Sequence, residues 1–186
     1  MLKKELRLNF TVLRNKLSEE ELELASLAIA QNVIQLPIWN FRYFHLFLQI
    51  PEKKEINTAY ILTILQAKDK DVIVPKISGP SKLNHFLLTD STVFKKNRWN
   101  IPEPVDGISV PPNKIEVVFV PLLAFDLKGH RVGYGKGFYD NFLKECNSNI
   151  VKVGLSLFEA TQDITDLHKG DVALDFCVTP EKIYSF

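Results

Sequence analysis

The stretch from Arg131 to Leu143, RVGYGKGFYDNFL, sets three alternating glycines, two cations and a carboxylate side by side. That is the chemistry of holding a polyphosphate. Gly133, Gly135 and Gly137 leave the backbone free to adopt positive φ, so consecutive N–H groups converge on anionic oxygens. A helix opening near Gly137 adds its positive N-terminal end. Arg131 can grip two phosphate oxygens with its planar guanidinium, while Lys136 offers a movable point charge. Asp140, three residues beyond Gly137, stands where a carboxylate takes a magnesium ion bridging phosphates. The run fits neither familiar fingerprint. A Walker loop needs GxxxxGK[ST], and a dinucleotide fold needs GxGxxG early in a βαβ unit. The same residues also satisfy a plain strand-to-helix turn with solvated cations.

Other candidates are dispersed along the chain. Lys3, Arg7 and Arg14 fall on one stripe of an N-terminal helix; such a stripe either reaches toward the same phosphates or is a solvated face. Glu55 lies between Pro51 and Thr58, where an acid also serves as a first-turn charge. Trp99, followed by IPEP, offers an aromatic wall for a flat heterocycle or simple loop packing. Asp171 and Asp175 read as turn and edge charges, or one of them completes a magnesium shell with Asp140. His45, His85, His130 and His168 show no ligand spacing. Cys146 and Cys177 form no CxxC, so they are ordinary thiols rather than a zinc site or a disulfide framework.

The elements that must position these groups are readable from periodicity. Leu2, Leu6, Phe10, Leu13 and Leu17 recur every three or four residues, predicting a first helix with that stripe turned inward. Ser18 and Glu21 form a capping box that opens a second helix burying Leu22, Ala25, Ile29, Val33 and Leu36, which Pro37 stops. Buried strands are predicted at 41–50, 71–75, 83–89, 115–125, 150–157 and 172–179, with helices over 58–68 and from about Phe138. The proline-rich segment 95–113 reads as an ordered surface loop. Strands alternating with helices predict a Rossmann-like α/β layered fold, a largely parallel or mixed central sheet flanked by helices, with its ligand site outside the carboxyl ends of the strands.

A chain of 186 residues with 46% hydrophobic residues buries a full core, and residues 1–186 are expected to form a single domain. The formal net charge of +1 leaves no electrostatic footprint for nucleic acid or an anionic membrane. Nowhere are there about 18 consecutive apolar residues, and the start, MLKKELRLNF, lacks a signal-type apolar core. The expected location is the cytoplasm.

The run PLLAFDLKGHRVGYGKGFYDNFL resembles the signature of the 5-formyltetrahydrofolate cyclo-ligase family, in which a strand, an aspartate and an RxGxGxGxYD loop follow in that order. KKELR, PEKKEINT, VIVPK, NIPEP and GDVALDFCVTP resemble further landmarks in the family's order, so the likeness spans essentially the whole chain. The resemblance implies an enzyme that uses MgATP to convert 5-formyltetrahydrofolate, with one or several glutamates, into 5,10-methenyltetrahydrofolate, releasing ADP and phosphate through an N5-iminium phosphate. It implies ATP contacts at Lys3, Arg7 and the loop Arg131, Gly133, Tyr134, Gly135, Lys136, Gly137, Phe138 and Tyr139, with Lys136 and Arg131 catalytic. It further implies magnesium at Asp140 and Asp171, and folate contacts at Ile50, Glu55 and Tyr134, to which Trp99 is added as the aromatic wall. A monomer is expected. The chain departs from the family pattern in three places: Phe138 replaces the first tyrosine of the common YYD, position 134 is variable in the family, and His45 and Gln49 stand where a tyrosine is expected nearby.

Two rival classes share some of these features. A nucleotide-binding regulatory module would need only the glycine loop and would consume no ATP. An isomerase or CoA-transferase-like enzyme places glycine turns at strand ends without any need of ATP.

Overall fold

A computed structural model describes every residue from Met1 to Phe186. The chain opens with two helices, α1 (Lys3–Lys16) and α2 (Glu19–Val33), joined through the predicted capping box: Ser18 Oγ accepts the Glu21 N–H and Glu21 accepts the Ser18 N–H. There follow β1 (Tyr43–His45), α3 (Ala59–Ala67), β2 (Asp71–Ile77), β3 (Leu83–Leu87), β4 (Phe94–Lys96) and β5 (Pro102–Pro104). The second half holds β6 (Val117–Pro121), β7 (Ala124–Phe125), β8 (Arg131–Val132), α4 (Phe138–Glu145), β9 (Val151–Leu155), β10 (Phe176–Val178) and β11 (Ile183–Ser185).

Seven strands form one sheet in the order β11-β10-β9-β6-β1-β2-β3. Its five central strands run parallel, and β3 and β11 close the two edges antiparallel. Parallel strands need both faces covered, which explains their near-continuous apolar runs. One face carries Phe44, Val117, Phe119, Val153 and Val178 beneath α2 and α3. The other carries Ile73, Val118, Val120 and Cys177 beneath α4. The layered α/β expectation therefore holds, and the sheet is mixed only at its edges.

Several predicted boundaries move, each for a physical reason. The apolar run 41–50 pairs as a strand only over Tyr43–His45, because the chain leaves the sheet to turn at Pro51. The run 115–125 divides: Pro121 removes a ladder donor, Leu122 and Leu123 cross over, and Ala124–Phe125 joins a separate two-stranded ribbon with β8. Of 172–179 only Phe176–Val178 is strand. The segment 95–113 is not all loop, since β4 and β5 form an antiparallel hairpin in which Glu103, between two prolines, faces Lys95.

The largest correction concerns α1. Its inward face is the cationic stripe. Lys3 is 6% and Arg14 4% exposed, whereas Leu2 and Leu13 are 47% and 42% exposed. Only Leu6 of the apolar stripe is fully buried, with Ala124, Val132 and Ile164, and Phe10 packs at its margin. The helix lies across the polar carboxyl end of the sheet instead of on an apolar face, so its cations point at carbonyls and carboxylates.

Candidate functional site

The β7–β8 ribbon carries Arg131 into place. Its turn is organised by Asp126, fully buried, whose carboxylate accepts the N–H groups of Lys128 (2.9 Å), His130 (3.0 Å) and Ile164 (3.0 Å) and contacts His130 Nδ1 at 3.0 Å. Burial alone would raise this acid, but the three N–H donors and His130 outweigh it and hold the carboxyl below its usual range. Asp126 is therefore a fixed anion beneath the ribbon. It is the aspartate of the signature run, given no role from the sequence, although the pattern Asp126-Leu127-Lys128-Gly129 is the signal of an Asx turn.

From Arg131 the chain enters the glycine loop. Gly135 and Gly137 have φ of +84° and +71°, as expected, whereas Gly133 is not left-handed. A Cβ on Gly135 would lie 3.3 Å from the Arg7 guanidinium, so glycine there also permits close approach of α1. Arg7 Nε donates to Gly133 O at 2.9 Å, tying helix and loop together. Gly137 precedes the first residue of α4, whose N-terminal end therefore opens onto the loop. Lys136 is exposed, and its ammonium has no hydrogen-bond or ion-pair partner. Phe138 packs its ring into the core under α4.

Two ion pairs flank this loop. Arg131 Nη2 donates to Asp140 Oδ1 at 2.7 Å, its Nη1 donates to Val172 O, and Asp140 also accepts the Val172 N–H at 3.2 Å. Lys3 Nζ pairs with Asp171 Oδ2, which also accepts the His168 N–H at 2.7 Å. Burial opposes ionisation of Asp171, yet the His168 N–H and Lys3 hold it below the ordinary carboxylate range. Burial lowers Arg131, with Asp140 and Asp171 opposing. Asp175 is engaged elsewhere: its carboxylate takes the Lys152 N–H at 2.7 Å and the Lys152 ammonium at 2.8 Å. Of the two aspartates, then, Asp171 stands beside the loop. No group of three or more His, Cys, Asp or Glu side chains is arranged as a metal cage. A two-carboxylate set fits magnesium, which is bound by one or two protein carboxylates plus phosphate and water.

A third constellation joins the loop to the segment after β1. Tyr134 donates its hydroxyl to Glu55 Oε1 at 2.6 Å and accepts Arg14 Nη1 at 3.0 Å. Glu55, 3% exposed, takes the Ile50 N–H on its other oxygen at 2.9 Å, and Gln49 Nε2 donates to the Glu55 carbonyl at 2.9 Å. Burial pushes Glu55 up, against Tyr134, Ile50, Arg14 and Lys53. Burial and the Glu55 charge push the Tyr134 phenol up. Glu55, Ile50, Tyr134 and the loop are thus one assembly. Trp99 is not joined to it by any hydrogen bond; it is 47% exposed at the β4–β5 turn, with Arg98 4.0 Å above its ring. That hairpin reaches the assembly indirectly, through Lys96 and Glu52 at 3.1 Å. Tyr139 turns the other way, its hydroxyl buried and unpartnered beside His45.

Fold and site together define the class: an α/β protein that carries a cation-lined glycine loop beyond the carboxyl ends of its strands. The sequence model of the 5-formyltetrahydrofolate cyclo-ligase family matches residues 1–180, and the chain belongs to that family. It is 31% identical over 184 residues to a probable 5-formyltetrahydrofolate cyclo-ligase of Schizosaccharomyces pombe, covering 90% of each chain. Among solved structures, the 5,10-methenyltetrahydrofolate synthetase of Aquifex aeolicus superposes with a TM-score of 0.79 at 30% identity, over 100% of this chain and 93% of that one. A Mycoplasma pneumoniae synthetase, at 22% identity and TM-score 0.77, covers 97% of this chain and 99% of its own and shares the fold. The chain is accordingly an enzyme of the ligase class, which sets aside the regulatory-module and isomerase readings.

Proposed function

We propose that the protein joins N10 of 5-formyltetrahydrofolate to its N5-formyl carbon, giving 5,10-methenyltetrahydrofolate at the cost of ATP hydrolysis to ADP and phosphate. The observation that carries this reading is the pairing of Lys3 with Asp171 and of Arg131 with Asp140 on either side of a glycine loop whose Lys136 is unpartnered. Cations and carboxylates that already neutralise each other can exchange partners, the cations for phosphate oxygens and the carboxylates for magnesium. Buried charge then never stands uncompensated.

The formyl oxygen is a poor leaving group. It attacks the γ-phosphorus, the bond from that phosphorus to ADP breaks, and an N5-iminium phosphate forms. The N10 lone pair then adds to the activated carbon, the C–O bond leaves with phosphate, and N10 loses its proton to solvent. Lys136, Arg131, Arg7 and the loop N–H groups align the γ-phosphoryl and absorb its charge, which is most of what phosphoryl transfer asks of a protein. Asp140 and Asp171 hold magnesium, which when bound neutralises charge on the phosphates. Ile50, Glu55 and Tyr134 receive the pterin side, and Trp99 on its hairpin serves as an outer aromatic wall. Holding N10 against the formyl carbon adds effective molarity. Within this reading residues 1–186 act as one domain and as a monomer, in the cytoplasm, on folate with one or several glutamates. Two cores sharing one sheet, and the even charge balance, support it.

The test is to mix the protein with MgATP and 5-formyltetrahydrofolate and follow the methenyl chromophore in the near ultraviolet together with ADP. Product and ADP should rise in equal amounts. ADP release that does not depend on folate, or no chromophore, would overturn the proposal.

A further inference from the structure

Of the three cations on the inward stripe of α1, Arg14 is the one to which the reaction above gives no task, and it is the most deeply buried, at 4% exposure. Burying a guanidinium is costly unless a negative group compensates it. Its two direct partners are neutral: Tyr134 Oη at 3.0 Å and Leu122 O at 2.7 Å. Its Nε is buried without any partner. Compensation comes one atom further on. Arginine has no acceptor, so the Tyr134 oxygen must accept from it, and the phenol's own proton is thereby directed to Glu55 Oε1 at 2.6 Å. The chain guanidinium, phenol, carboxylate is polarised in one direction and ends on the buried acid assigned to the folate. The space between Arg14 and Glu55, walled by Phe47, Ile56, Leu122 and Leu155, is about 10 Å³. That is about the room of a single water. The hydrogen-bonded route from Arg14 to Glu55 runs through Tyr134.

We propose that Arg14 is a positioning residue for the folate half of the site, clamping Tyr134 and through its phenol keeping Glu55 an aimed carboxylate. This rests on the reaction proposed above. α1 then serves both substrates, with Lys3 and Arg7 facing the nucleotide and Arg14 the folate. The groups that face Glu55 are Arg14 from α1, Tyr134 from the glycine loop, and the Ile50 N–H and Lys53 from the turn after β1; Tyr139 of α4 turns away toward His45, and the Glu55 charge reaches it only through space, adding to the burial that raises its phenol. Lys53 is exposed and lies over the Tyr134 ring at 4.3 Å, so Arg14 is the only buried cation in the set.

The experiment compares wild type, Arg14→Met, Tyr134→Phe, Arg14→Lys and Arg14→Met/Tyr134→Phe. Each is assayed for kcat/KM toward folate across pH, for KM toward ATP, and for the carboxyl titration of Glu55 by NMR in the ligand-free protein. Removing the cation should carry the Glu55 titration and the acid limb of folate kcat/KM upward together by about one pH unit. Folate KM should rise about tenfold while ATP KM holds. Arg14→Lys keeps the charge without the fork; it should leave the limb in place and still raise folate KM, and it decides the matter if Arg14→Met does not fold. The double variant should be no worse than its poorer parent, because both changes cut one chain. A variant of altered melting temperature whose Glu55 titration and folate KM stay put would make Arg14 a packing residue and overturn the proposal, as would an equal loss toward ATP. If wild type forms no methenyl product, the reaction falls and the folate role of Arg14 falls with it; the NMR titration still reads the Arg14–Glu55 coupling on its own.

Discussion

Two sets of buried polar groups meet the first turn of α4, and they are built in opposite ways. On the side of Asp140 every charge has a counter-charge or a hydrogen bond: Lys3 with Asp171, Arg131 with Asp140 and Val172, Arg14 through Tyr134 with Glu55. On the side of Tyr139 there are polar groups with no partner at all. Both nitrogens of His45, both of His85 and the Tyr139 hydroxyl are buried and unbonded, and the two imidazoles lie 5.3 Å apart against Phe142. The paired set can trade partners when a charged ligand arrives. The unpaired set can only stay neutral, at a cost of about 1–3 kcal/mol for each unsatisfied group. Burial accordingly holds His45 well below its ordinary value and His85 down at about 4. One side of a single helical turn is prepared for charge, and the other excludes it.

The comparison breaks most visibly at Arg131. Arg131→Met takes the counter-charge from Asp140, which keeps only the Val172 N–H, and leaves the Val172 carbonyl without its side-chain donor; Asp140 is 31% exposed. The loss should be roughly 2–3 kcal/mol, below the ~3–5 kcal/mol of a fully buried pair, with methenyl formation abolished. A urea midpoint equal to wild type would remove Arg131 from the structural half of the contrast. Lys136→Ala separates ligand from scaffold: turnover should fall about a hundredfold or more with the melting temperature unmoved, because Lys136 is exposed and its ammonium has no hydrogen-bond or ion-pair partner. Lys136→Arg should also be impaired, since the two cations differ in shape and reach. Full activity of Lys136→Ala at saturating substrates would refute the role given to it.

The unpaired side is sharpened by pH. Histidines in the unfolded chain bind protons near pH 6.5, whereas the folded pair must lose theirs to stay buried. The unfolded state therefore binds more protons between about pH 6.5 and 4, stability is complete above that window, and it falls as pH falls through it. The slope for one histidine is at most about 1.4 kcal/mol per pH unit. His85→Leu should flatten the curve of urea midpoint against pH, and an unchanged curve would locate the acid sensitivity elsewhere. The smallest effect is expected far from both sides. Ser18→Ala removes the N-cap of α2 and should cost about 1 kcal/mol in denaturation without altering either KM.

The glycine loop was legible in the sequence because its conformation is written in local spacing. Gly135 and Gly137 do adopt a left-handed backbone, and the cations around them are the ground for the proposed anion site. The parallel strands were readable as apolar runs for the same local reason. What periodicity misreads is a helix whose inner face is not apolar. The stripe of leucines on α1 was expected inside, but the surface it meets is made of loop carbonyls and carboxylates, so Lys3 and Arg14 are buried and Leu13 is exposed. Arg14 stood on the recognised stripe, yet its link to Glu55 joins residues from three separate segments. Prolines in β5 hid a hairpin, since Pro102 and Pro104 suggest a loop while Glu103 between them supplies the register. β11 is three residues long and carries no pattern before its partner is known. Neither do His45 and His85, which meet only because β1 and β3 both pack under α4.

The Lys3–Asp171 pair spans 168 residues of sequence. No segment released early from a ribosome holds both of its partners, and loop closure over such a separation is entropically slow to nucleate. The pair therefore cannot form until the chain reaches Asp171, and a shorter nascent chain holds Lys3 without its partner.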